Sequence, residues 1–139
     1  MVIEKLQMQH VDQVTALHKT LIPFETSFEN AAETYGRMVK RDDYFLAVAR
    51  EGEEILGTIT GICCQGLGVR FLVLEDLVVK ETLRGSGIGT QLMAAMDDFG
   101  RKKGCAYVFL VSSGFRKQAH KFYEKLGYTE DVRGFRKEL

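Results

Sequence analysis

Apolar residues return along this chain in two rhythms. At Ile88, Leu92, Ala95, Met96 and Phe99 they recur with helical spacing, while Gln91, Asp97, Asp98, Arg101 and Lys102 fall largely elsewhere. That pattern predicts an amphipathic helix lying on a sheet, with Lys102 and Lys103 at the negative end of its dipole and Gly104 as the stop. Val11, Val14, Leu17 and Leu21 sketch an earlier helix, and Asn30 is placed to cap another that carries Ala31, Tyr35, Met38 and Val39. The second rhythm is that of strands. Val2 to Leu6 predicts an edge strand, and Tyr44 to Ala49, the turn Glu51-Gly52-Glu53-Glu54 and Ile55 to Cys64 predict a hairpin. Gly66 and Gly68 mark the next turn, before a long strand from Val69 to Val79. Cys105 to Val111 is a near-continuous apolar run too short for a typical helix, as expected of a strand covered on both faces.

Between the last two strands lies Leu83-Arg84-Gly85-Ser86-Gly87-Ile88-Gly89-Thr90. Glycines at alternate positions let the backbone approach a ligand and align successive N–H groups. At a helix N-terminus those donors add to the positive end of the macrodipole and suit a pyrophosphate, with Arg84 alongside. A P-loop is excluded because no lysine precedes Thr90. A dinucleotide fingerprint is excluded because Thr90 stands where its third glycine or alanine belongs.

What the segment does contain is Arg-x-x-Gly-x-Gly, at Arg84, Gly87 and Gly89. A second motif follows at the right distance: Ala119, Tyr123, Glu124, Lys125, Gly127 and Tyr128 in the pattern Ala-x-x-x-Tyr-Glu-Lys-x-Gly-aromatic. Together they resemble the GCN5-related N-acetyltransferases (GNAT family). The resemblance implies an α/β (α+β) fold with a mixed, mostly antiparallel sheet of roughly six to seven strands, splayed at its middle and flanked by about four helices. It implies acetyl-CoA as cosubstrate, held by Leu77, Val78, Val79, Arg84, Gly85, Ser86, Gly87, Ile88, Gly89, Thr90, Arg116, Ala119 and Tyr123. Many members carry Asn where this chain has Arg116, so that contact departs from the family pattern. Arg116 offers a phosphate a charge instead.

The implied reaction is transfer of an acetyl group to a primary amine of a small molecule by direct attack. An alkylammonium must lose a proton before it can attack. Glu75 and Asp76 interrupt the long apolar strand, where a carboxylate is costly unless paired. Either they pair with Arg or Lys, or Glu75 reaches the acceptor directly or through water. A bulge of the kind the family carries on this strand would break simple parity counting. Tyr123 occupies the family position of the acid that protonates the departing thiolate; its helical spacing with Ala119, Phe122 and Leu126 also fits a core residue. Phe24, Glu25 and Phe28, in the loop from Leu21 to Phe28, are expected to contact the acceptor together with Glu75 and Asp76. His120 is expected on the substrate side or as a cap.

Composition narrows the partners. The chain has 139 residues, 45% of them hydrophobic, and 19 basic against 19 acidic side chains. Such a balance gives no electrostatic footprint for nucleic acid. There is no apolar run of membrane-spanning length and no signal peptide in the first residues, and residues 1–139 are expected to form a single cytoplasmic domain. A homodimer is compatible with this reading. Cys63, Cys64 and Cys105 are expected to be reduced core residues, and His10 and His18 have no metal-ligand spacing, so no metal is expected. Two other functions fit the same motifs: a catalytically silent acyl-CoA-binding sensor, and a protein or peptide N-acetyltransferase.

Overall fold

The computed structural model describes residues 1–21 and 30–139. Its strands are β1 (Val2–Lys5), β2 (Tyr44–Glu51), β3 (Glu54–Gln65), β4 (Arg70–Val79) and β5 (Tyr107–Leu110). The helices are α1 (Val11–His18), α2 (Ala31–Val39), α3 (Ile88–Lys102) and α4 (Lys117–Lys125). The strands pair in sequence order into one sheet, antiparallel from β1 to β4 and parallel between β4 and β5. A parallel pair needs a crossover, and α3 supplies it.

The sheet is sandwiched between helices because its strands alternate. Ala47 and Ala49 of β2, Ile59 of β3 and Leu72 and Leu74 of β4 meet Ile88, Leu92, Met93 and Met96 of α3 in the main core. Val48 and Ile55 point the other way, onto Val11 and Val14 of α1. Tyr35 of α2 donates its hydroxyl to the Leu6 carbonyl at 2.8 Å and ties that helix to the end of β1. Asn30 does precede α2, but its side chain makes no cap bond. On α3 the buried face takes in Met93, while Ala95 is only half-buried.

Two expectations need correction. Among the described residues the sheet has five strands and not six to seven, because residues 129–139 form no strand. The predicted strand Cys105 to Val111 shrinks to four residues, and it is not covered on both faces: Tyr107 is 50% and Val111 68% exposed. As the last strand of the sheet, β5 has a neighbour on one side only. The cysteines are free, with the Cys63 and Cys105 sulfurs 3.4 Å apart. Burial pushes the Cys105 thiol up to about 11, so it stays protonated at neutral pH. Among the described residues no helix is long and apolar enough to cross a membrane, and no group of three metal-ligating side chains forms.

Candidate active site

The glycine loop takes the shape its residues allow. After β4 the chain makes a short 3-10 turn at Glu81–Leu83, then passes through Gly85 and Gly87 at φ of 82° and 89° before α3 begins. Those angles are strained for residues with a Cβ. Open space surrounds both positions, so the requirement is for backbone shape and clearance above the loop. Gly87 has no side chain to cap α3, which leaves the first N–H groups of the helix open to an external acceptor. Ser86 folds inward, its hydroxyl donating to the Leu83 carbonyl at 2.6 Å. Arg84 and Thr90 are exposed, and Ile88 is buried in the core. At Gly89 a Cβ would lie 3.2 Å from the ring of Phe122, so this glycine lets α4 close against the start of α3. The two sequence motifs therefore touch.

Beside the loop the sheet opens. β5 is paired with β4 only from Phe71 to Leu74, whereas β4 runs on to Val79. Its continuation, with Leu77, Val78 and Val79, thus presents an edge with no β5 partner. On its other side β4 stays bonded to β3, but the register slips between Thr58 and Thr60. Thr60 faces Glu75 and Thr58 faces Val78, so Ile59 stands opposite both Asp76 and Leu77. This is a bulge on β4. Asp76 takes it up with φ of 56°, the only positive φ outside glycine among the described residues. Aspartate is one of the few residues that enter this region readily.

The bulge places its two carboxylates unusually. Neither Glu75 nor Asp76 joins the ion pairs seen among the described residues. Desolvation, and then the neighbouring Asp76 charge, hold the Glu75 carboxyl above the usual carboxylate range. His18, on the last turn of α1, interacts electrostatically with Asp76. Burial pulls its imidazole below the ordinary histidine value, and the Asp76 charge offsets part of that shift. Sequence reasoning gave His18 no role, since no linear spacing ties it to residue 76.

Tyr123 lies on the half-buried face of α4, against Phe122 at 5.3 Å and Tyr128 at 6.1 Å between ring centres. Burial raises its phenol above the usual tyrosine value, and Arg116 pulls slightly the other way. The Tyr128 hydroxyl is buried without a hydrogen-bond partner among the described residues, and its phenol is pushed up to about 12, chiefly by burial. Tyr123 and Tyr128 line a groove of about 1380 Å³ that runs along the open edge of β5. Ala119 is half-buried on α4, and Arg116 is exposed at its start. His120 bonds the Ser113 carbonyl at 2.9 Å through Nε2 and so pins the loop that enters α4. Phe24, Glu25 and Phe28 lie outside the described residues.

A five-stranded mixed sheet that opens beside a glycine loop defines the class, and comparison with known proteins agrees. The sequence matches the acetyltransferase (GNAT) family over residues 11–128, and the chain belongs to that family. It is 39% identical over 66 residues to the glucosamine 6-phosphate N-acetyltransferase of Trypanosoma brucei brucei, a match spanning 48% of this chain and 43% of that enzyme. It is 25% identical over 139 residues to the aminoalkylphosphonate N-acetyltransferase of Salmonella typhimurium, covering 94% of this chain and 86% of that one. The chain spans about half the length of the first two curated relatives it matches, 43% and 47%. A putative acetyltransferase structure from Agrobacterium tumefaciens superposes with a TM-score of 0.90 at 19% identity, covering both chains fully, which establishes the shared fold.

Proposed function

We propose that this protein is an acetyl-CoA-dependent N-acetyltransferase acting on a primary amine of a small molecule. The observation that carries the reading is the β4 edge left unpaired by β5, running into an uncapped α3 N-terminus behind two glycines of positive φ. An extended thioester arm needs such an edge, and a pyrophosphate needs such a terminus. Leu77, Val78 and Val79 would hold the arm through their backbone, and Gly85, Ser86, Gly87, Ile88, Gly89 and Thr90 would hold the phosphates with Arg84 and Arg116 as countercharges. Ala119 would line the same cleft. Acetyl-CoA would supply an activated acyl group: the amine nitrogen bonds to the acyl carbon first, its carbonyl oxygen becoming a tetrahedral oxyanion, and the C–S bond breaks as that oxyanion collapses.

The side chains then manage charge and protons. Glu75, with Asp76 beside it, attracts the ammonium and takes its proton, directly or through a water molecule. The free N–H groups of the β4 edge stabilise the oxyanion. Tyr123, held protonated by its environment, gives its proton to the departing thiolate and recovers one from solvent, which takes the second nitrogen proton as the amide forms. Phe24, Glu25 and Phe28, which lie outside the described residues, remain our proposed acceptor contacts.

Tyr123→Phe keeps the ring and its packing but removes the proton. Turnover, followed by thiol release, is expected to fall about 10²- to 10⁴-fold with acetyl-CoA affinity nearly unchanged. Near-normal turnover by the variant would show that the tyrosine is only a core residue.

A further inference from the structure

Glu75 does not stand alone on its face of the sheet. Leu72 and Leu74 turn into the core beneath α3, so the alternate residues Phe71, Val73 and Glu75 share the opposite face. In the parallel register Tyr107 stands beside Phe71 and Phe109 beside Val73. The Phe71 and Tyr107 rings stack with centres 5.5 Å apart, and Phe109 lies 5.9 Å from Phe71. This aromatic strip is left part-exposed, with Tyr107 at 50%. It is continuous with Glu75 along β4, and at its outer side Tyr107 and Phe109 border the groove along the β5 edge that Tyr123 borders from the α3 side of the sheet.

On β4 and β5 the uncommitted charge is acidic, while His120, Glu124 and Arg133 stand among the other residues that line the groove. Glu75 and Asp76 close the upper end of the strip, and Arg70 is the only basic residue on β4 or β5. Arg70 is committed elsewhere, bonding the Gln65 side chain at 2.9 Å and the Lys103 carbonyl at 2.8 Å. These two strands thus offer a phosphate or phosphonate no cation. They offer an ammonium two carboxylates and an aromatic body a floor.

We propose that the acceptor is a primary amine carrying an aromatic ring two or three carbons from the nitrogen, with the ammonium at Glu75 and the ring over Val73 and Phe109. The proposal rests on the acetyltransferase reading and adds the substrate class. The strand rise of about 3.3 Å per residue puts Val73 about 7 Å from Glu75. A two-carbon spacer built from single bonds of about 1.5 Å sets the ring centre roughly 5 Å from the nitrogen, which spans most of that distance. Aromatic rings that meet edge-on or offset would complete the contact at Phe109.

The test is an acceptor panel at fixed acetyl-CoA, read as thiol release: 2-phenylethylamine, n-butylamine, glucosamine 6-phosphate and 2-aminoethylphosphonate. The expected result is a kcat/KM for 2-phenylethylamine at least about 10-fold above that for n-butylamine, with the phosphorylated and phosphonate amines poorer still. Phe109→Ala is expected to collapse the aryl-to-alkyl ratio to below about threefold. Phe109→Leu, which keeps an apolar side chain of similar size, gives the same reading if the alanine variant does not fold. A preference for either anionic amine, or no aryl preference, overturns the proposal while leaving the acetyltransferase reading in place. No transfer to any amine by protein that binds acetyl-CoA overturns both. Should the strip be where two copies meet, Tyr107→Arg would turn a dimer into a monomer in sedimentation equilibrium with the aryl-to-alkyl ratio unchanged, and that also overturns it.

Discussion

β3 and β5 lie in the same sheet and are built from similarly apolar sequence, yet they live in different surroundings. β3 has strands on both sides and helices on both faces, and its residues from Ile55 to Gly61 are all buried. β5 has one neighbour, four residues and no fully buried side chain. The closed half fixes the scaffold by packing. The open half leaves backbone edge, aromatic rings and two carboxylates accessible, which is what a site needs and a core cannot tolerate.

That contrast can be broken from either side. The largest effect is expected in the closed half: Leu92→Ala, at a fully buried position of α3, should cost about 2–5 kcal/mol in denaturant unfolding. A smaller loss would mean that α3 is not the keystone of the core. In the open half the expected loss is of rate. Glu75→Gln should lower turnover about 10²-fold at neutral pH and recover as rising pH deprotonates the amine in solution. Wild-type kcat/KM should fall on acidification at a pH above the ordinary carboxylate range, since burial and then Asp76 raise Glu75. A rate loss in the variant that does not change with pH would remove the base assignment.

The smallest effect sharpens the same point. A carboxyl whose folded pKa is raised favours the folded state while protonated. It withdraws that stability as pH climbs from the unfolded value through the folded one. Glu75→Gln should therefore raise the melting temperature slightly at neutral pH and leave it unchanged well below pH 4 (roughly the unfolded glutamate value). A lower melting temperature at neutral pH would mean that Glu75 stabilises the fold.

Much of the closed half was legible in the sequence, because local periodicity decided it. The spacing of Ile88, Leu92 and Met96 announced α3, and alternation with a Gly52 turn announced the β2–β3 hairpin. The glycine loop was legible too, since chain chemistry alone restricts Gly85 and Gly87. The open half was not. Whether Tyr107 to Leu110 is central or at an edge depends on what pairs beyond it, and an apolar run is the same in both cases. The roles of Phe71 and Phe109 likewise depend on register between strands more than thirty residues apart. The position of Asp76 needed the bulge, and His18 reaches it only through the packing of α1 on β4.

The central claim is that the open edge and glycine loop take up acetyl-CoA, and titration calorimetry tests it most directly. Saturable binding of acetyl-CoA is expected, with ATP and NAD binding far more weakly. Folded Arg84→Glu and Gly87→Val variants should bind acetyl-CoA at least about 10-fold less tightly, because reversed charge or a side chain obstructs the pyrophosphate. Unchanged affinity in those variants, or tighter binding of ATP or NAD than of acetyl-CoA, would contradict the account.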